Sequence, residues 1–306
     1  MQVAVTGATG FAGSRLVEKL IERGDRVLVL TRNSQKAQNR FPASRFPNLE
    51  IVEYRPRNSG AWQERIAGCD GVVNLAGEPI AEERWTPPVK EKIRLSRVEG
   101  TQKIVEAISA ATPKPQVLVN ASAIGYYGSS ETAAFDETSP PGEGFLAETC
   151  QAWEAEAQNV TEMGVRLAIV RIGIIVGNGG AIAKMLTPFK LFMGGPLGSG
   201  QQWFSWIHRE DLVNLILETL KRPDLSGIFN GTAPNPVRMN QLCQTLGDVL
   251  NRPSWLPVPG FALELLLGDG AQVVLEGQQV LPKATQATGF QYQYPALEAA
   301  LKTVAS

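Results

Sequence analysis

The chain has 306 residues, 43% of them apolar, and its 29 Lys+Arg against 30 Asp+Glu leave a net charge of −1. That length allows one large domain with an appendage or two domains, and the charge balance excludes a basic nucleic-acid surface as the default reading. No apolar run approaches the ~18 residues of a membrane span. Three scattered cysteines, Cys69, Cys150 and Cys243, with the single histidine His208, offer neither a disulfide framework nor a zinc site, so no metal is expected. Met1 runs straight into strand-like residues, and the expectation is a chain without a leader in a reducing, cytoplasmic compartment.

Taken in chain order, residues 3–5, 27–30, 51–52, 72–75, 117–119 and 167–170 are short apolar runs, interrupted only by Asn74. Runs without polar alternation suit strands buried on both faces. Helical patterns lie between several of them: 11–23, with Leu16, Val17, Leu20 and Ile21 on one side and Gly24 as its stop, then 90–111 and 151–162. The alternation predicts an α/β fold, a Rossmann-type doubly wound parallel sheet, over residues 1–172. After Arg171 the pattern changes. Glycine loops at 177–180 and 194–200 flank an apolar helix near 185–193, and Pro234, Pro236, Pro253, Pro257, Pro259, Pro282 and Pro295 punctuate short elements. This predicts a smaller C-terminal α+β substrate domain over 173–306, with about 205–222 returning to the first domain.

The strongest local signal joins the first strand directly to the first helix: Gly7, Ala8, Thr9, Gly10, Phe11, Ala12, Gly13. Gly7 permits the tight turn, Gly10 lets backbone approach a pyrophosphate, and Gly13 lets helix and sheet pack closely. The helix N-terminus offers N–H groups and a positive dipole end to the phosphates. Gly7, Thr9, Gly10, Phe11, Ala12 and Gly13 are therefore expected to hold a dinucleotide; the alternative is a turn that merely packs. The second strand ends on Arg32, where an NAD site places Asp or Glu for the ribose 2′-hydroxyl. A guanidinium pairs a 2′-phosphate bidentately, so the expected cofactor is NADP(H), against the alternative of a solvated surface arginine. Lys36, Arg55 and Arg57 add positive charge nearby.

These residues resemble the extended short-chain dehydrogenase/reductase superfamily. Further stretches sharpen the likeness: Asn74-Leu75-Ala76-Gly77 after the fourth strand, Ser96-Arg97-Val98-Glu99-Gly100-Thr101 on the next helix, and Ser122-Ala123-Ile124-Gly125-Tyr126-Tyr127-Gly128 after the fifth strand. Within it the chain is similar to an atypical branch, the "epimerase family" with its own C-terminal domain of unknown function, here 253–302. That branch includes division-associated (SulA-like, GIANT CHLOROPLAST) proteins of plants and cyanobacteria. It is marked by Glu78-Pro79-Ile80 with Arg84-Trp85, by 194–200 and by 206–211. The resemblance implies that Leu75, Ala76, Gly77, Glu78, Ser96 and Ala121 line the cofactor. It further implies a small-molecule substrate, and either a homodimer through the helices at 90–111 and 151–162 or a division-protein partner.

The superfamily's Tyr-x-x-x-Lys pair is missing. Four residues after Tyr54, Tyr126, Tyr127, Tyr292 and Tyr294 stand Asn58, Ser130, Glu131, Ala296 and Glu298. Aligning Trp153 and Glu154 with the helix of relatives puts Leu146 and Cys150 at the two catalytic places. The amide that holds a sugar nucleotide after the sixth strand is also absent, since Arg171-Ile172-Gly173-Ile174 carries Ile174 there. The expected substitutes are Ser122 to hold a carbonyl oxygen, Tyr126 or Tyr127 to donate a proton, and His208 and Glu78 reaching the same cleft from other loops. Each has a structural alternative: a turn support, an aromatic packing pair, a satisfied histidine. Two functions follow. One is an NADP(H)-dependent oxidoreductase or epimerase on a small carbonyl or alcohol; the other is a non-catalytic NADP(H)-binding regulator, of division in the resemblance.

Overall fold

Each of the six apolar runs becomes a strand, and a seventh joins them late in the chain. The computed structural model describes residues 1–305; Ser306, on which the expected second domain ends, lies outside them. The strands are β1 (Gln2–Thr6), β2 (Arg26–Thr31), β3 (Leu49–Glu53), β4 (Gly71–Asn74), β5 (Val117–Ala123), β6 (Arg166–Ile172) and β7 (Gly227–Gly231). They form one sheet in the order β7-β6-β5-β4-β1-β2-β3, parallel at every pairing. The doubly wound parallel sheet expected from the sequence is what forms.

Alternate residues of each strand feed opposite cores. Val3, Val5, Val27, Val29, Val117 and Val119 pack with Leu16, Val17 and Leu20 of α1 (Phe11–Glu22). Ala4, Leu28, Leu30, Val72 and Leu118 pack on the other face with Ile104 and Ile108 of α2 (Pro87–Ala110) and Ala157 of α3 (Phe145–Gln158). Burying each Val or Leu side chain contributes about 1.5–3 kcal/mol, so both layers are needed.

Helix α3 starts at Phe145 rather than 151. Its N-cap is Gly144 at φ 91°, so no Ser, Thr, Asp or Asn marks the start. Helix α4 (Gly180–Lys190) lies earlier than the expected 185–193, because Phe192 takes a left-handed φ of 61° beyond its end. Helix α5 (Arg209–Lys221) puts Leu212, Val213, Leu215, Ile216 and Leu220 into the same core as α1. A third cluster gathers Val176, Phe189, Trp206, Leu242 and Leu246 of α6 (Met239–Leu250), and Leu301 of α7 (Leu297–Ala305).

Strand order reverses at β1, which has β2 on one side and β4 on the other. The loops after β1 and β4 therefore share the crevice at the carboxyl ends, where doubly wound sheets bind ligands. Among the described residues no helix is long and apolar enough to cross a membrane.

Candidate active site

The β1–α1 loop turns on Gly7, at φ 67°, whose carbonyl accepts the Gly10 N–H at 2.9 Å. A Cβ on Gly7 would stand 2.7 Å from the Leu75 carbonyl oxygen, and one on Gly13 would stand 2.2 Å from the Gly7 oxygen. Both positions therefore require glycine so that strand, loop and helix can close together. Gly10 is different: a Cβ there would meet only the Gly7 oxygen, at 3.1 Å. It is the N-cap of α1 and contributes no side-chain acceptor, which leaves the helix N-terminus for an outside anion. Thr9 and Ala12 are half-buried beside it. The Phe11 ring is held between Gly177 and Gly179 on one side and the Arg209 guanidinium, 4.9 Å from its centroid.

The strip after β4 is fixed by a residue that motif reading missed. The Thr6 hydroxyl accepts the N–H groups of Leu75 and Ala76, both at 3.1 Å, and donates to Asn74 Oδ1 at 2.7 Å. Asn74 Nδ2 donates to Asn120 Oδ1 at 2.7 Å and Thr101 Oγ1 at 2.9 Å, and Trp153 Nε1 donates to the same Thr101 oxygen at 2.8 Å. This buried chain ties β1, β4, β5, α2 and α3 together under the crevice.

Arg32 sits at the end of β2 with its side chain 62% exposed and donates to the Glu78 carboxylate. Lys92 lies 3.5 Å from the other Glu78 oxygen. The Ser96 hydroxyl accepts the Glu78 N–H at 3.1 Å and donates to the Ile93 carbonyl, so it supports the strip. Ala121 is buried in β5 opposite Val170.

The three residues expected to do chemistry are not gathered at one point. Ser122 is 2% exposed and donates to Glu154 Oε1 at 2.6 Å, so the proton expected to hold a carbonyl oxygen is spent inside the protein. Glu154 in turn accepts Arg171 Nε and a terminal nitrogen, both at 2.8 Å. Arg171 also donates to the Tyr127 hydroxyl at 3.0 Å, and that hydroxyl donates to Asn230 Oδ1 at 2.8 Å. Burial opposes charge on Arg171, and the Glu154 carboxylate more than restores it, holding its pKa above the ordinary value. The Tyr126 ring covers the guanidinium carbon at 3.3 Å. With Gln151, Glu154, Ala155, Gln158, Ile169 and Ile228 it lines a cavity of about 250 Å³. Gln151, Ala155 and Gln158 lie on a different face of α3 from Leu146 and Cys150.

Leu146 packs near Gly125, and the Cys150 thiol is buried beside Ser122 and Ala123. Burial, then the Glu154 charge, pushes that thiol up to about 11, so it carries no charge near neutral pH.

His208 lies elsewhere. Its Nδ1 accepts the Glu210 N–H at 3.2 Å as the N-cap of α5, Nε2 meets the Thr303 hydroxyl at 3.1 Å, and its ring lies tilted by 44° against Tyr294, with centroids 3.9 Å apart. It fastens α5 to the C-terminal helix. Burial pulls its pKa down to about 4 from an ordinary 6.5. The unfolded chain therefore binds the proton first. The stability this neutral ring contributes is complete above about pH 6.5 and is lost as pH falls towards 4, about 3 kcal/mol in all. Urea unfolding across that window is expected to show the loss in wild type and to show it much reduced in His208→Asn; parallel curves would contradict the assignment. Among the described residues no group of His, Cys, Asp and Glu is arranged to hold a metal.

Residues 3–230 match the NAD dependent epimerase/dehydratase family, and 258–304 match a domain of unknown function, DUF1731. An Arabidopsis thaliana protein, "Epimerase family protein SDR39U1 homolog, chloroplastic", is 52% identical over 99% of this chain and 86% of its own. The Bacillus subtilis "Epimerase family protein YfhF" is 38% identical over 98% of this chain and 97% of its own. A crystal structure of human epimerase family protein SDR39U1 (isoform 2) with NADPH superposes with a TM-score of 0.85 at 36% identity, covering 100% of this chain and 99% of that one. The two family matches and the relatives together cover nearly the whole chain, which belongs to the NAD dependent epimerase/dehydratase family as an atypical extended short-chain dehydrogenase/reductase with a DUF1731 domain.

Proposed function

We propose that the chain binds NADP(H) and works as an oxidoreductase on a small carbonyl or alcohol. The observation that carries the reading is the α1 N-terminus, capped by a glycine with no side-chain acceptor, set one strand away from Arg32. Those residues fit the cofactor: N–H groups for the pyrophosphate, with the Arg209 cation on the Phe11 ring, and a planar fork for the 2′-phosphate. The human relative bound to NADPH supports the same cofactor.

The dinucleotide supplies a hydride; the chain's task is to orient the substrate and provide the proton that goes to its oxygen. Ser122 is committed to Glu154, and His208 is neutral in the seam with the C-terminal helix. Tyr126, whose ring lies on Arg171, keeps its hydroxyl for that transfer, and we assign the proton to it. With carbonyl substrates screened through nicotinamide absorbance, Tyr126→Phe is expected to lower kcat by about 10²-fold or more while NADPH affinity stays unchanged. Undiminished kcat would remove Tyr126 from the chemistry.

Leu146 and the protonated Cys150 favour a second reading, a dinucleotide-binding protein without turnover whose occupancy a partner reads, such as the division-associated partner of the resemblance. Tight NADPH binding with no turnover across the screen would select it.

A further inference from the structure

One cation in the crevice has no acid of its own. Arg97, half-buried on α2, donates to the Ile93 carbonyl and to the Glu78 carbonyl, each at 3.0 Å. Its guanidinium carbon lies 5.4 Å from the Trp153 ring centroid, and a Cβ on Gly77 would meet that carbon at 3.0 Å. The flat group is thus held between the glycine strip after β4 and an indole. Gly77 leaves it room, and Trp153 is itself fixed through Thr101. Its charge also reaches the Cys150 thiol, at one of the two places where the usual catalytic pair is missing.

Both of its bonds go to neutral backbone oxygens. Among the described residues no carboxylate lies within ion-pair distance of it, and the nearby Glu78 is already shared by Arg32 and Lys92. Three cations therefore surround one carboxylate. Taking a guanidinium out of water without an acid costs free energy, and burial draws the Arg97 pKa below the ordinary arginine value. A guanidinium carries five N–H donors, so Arg97 has donors beyond the two in use here, and such a fork pairs oxyanions. The cost is recovered when a ligand brings the missing negative charge.

We propose that Arg97 is an oxyanion-binding residue of the crevice, and that its partner arrives with the bound molecules: a phosphoryl oxygen of the dinucleotide or a carboxylate on the substrate. The proposal takes its setting from the cofactor reading above and deepens it.

Calorimetry on wild type and Arg97→Gln tests it with three probes: NADPH, pyruvate and benzoate, the carboxylates with and without NADPH, and their neutral amides as controls. The glutamine variant is expected to bind one of the two anion classes about ten- to hundredfold more weakly. Loss of NADPH assigns the phosphoryl oxygen. Loss of the carboxylates with NADPH unchanged assigns the substrate. Without ligand the variant should unfold at a temperature no lower than wild type, because an uncompensated charge has been removed. If the glutamine variant does not fold, Arg97→Met keeps the stem on Trp153 and carries the same comparison. Affinities for every probe within about twofold of wild type would overturn the proposal. If NADPH binds equally to both proteins, the cofactor reading stands and this one falls. If wild type binds carboxylates through Arg97 and takes no NADPH, the reverse holds. Binding of none of the probes overturns both.

Discussion

Arg171→Met is expected to cost the fold about 3–5 kcal/mol. The side chain is 1% exposed and holds Glu154 with two bonds of 2.8 Å. Removing it leaves a buried carboxylate with only the Ser122 hydroxyl and removes the donor to Tyr127. Ser122→Ala should cost far less, about 1 kcal/mol, since one hydrogen bond is lost and the ion pair survives. Replacing both charges, Arg171→Met with Glu154→Leu, should cost less than Arg171→Met alone, because no charge is stranded. Urea denaturation of the four proteins reads this directly. A loss under about 1 kcal/mol for Arg171→Met would mean that Glu154 finds water or protonates cheaply, and the buried network would lose its structural role.

The second large effect is on binding. Arg32→Ala is expected to weaken NADPH about ten- to hundredfold and to change NADH by less than about twofold, because only NADPH has a phosphate for the fork. In the structure the Arg32 guanidinium rests on Glu78. That pair is worth little: Arg32 is 62% exposed, and such a contact is screened by water and salt. A phosphate dianion displaces it readily, and Lys92 remains to share the Glu78 charge. Equal losses for both dinucleotides would remove the 2′-phosphate assignment while leaving the loop after β1 untouched.

The sheet was legible because buried parallel strands are continuous apolar runs. β7 was not: Gly227-Ile228-Phe229-Asn230-Gly231 has only two apolar residues between glycines, and it becomes a strand because β6 offers a free edge. The start of α3 was hidden for a related reason, since Gly144 caps it with backbone alone. At the site, the glycine loop could be read locally because every part of it lies within a few residues. The Ser122–Glu154–Arg171 cluster could not. Its members come from β5, α3 and β6, and Ser122 meets Arg171 only when those two strands lie in register. From the sequence alone Ser122 therefore reads as a holder of a carbonyl oxygen or a turn support, not as a partner of Glu154. Thr6, which carries the strip after β4, and Arg97, which lacks an acid, are both invisible until the topology has brought distant segments together.

The most direct measurement is calorimetric titration of NADPH and of NADH into the wild-type chain. NADPH should give a saturable heat at an affinity at least about tenfold above that for NADH. Absence of heat with both dinucleotides, in protein shown to be folded, would contradict it.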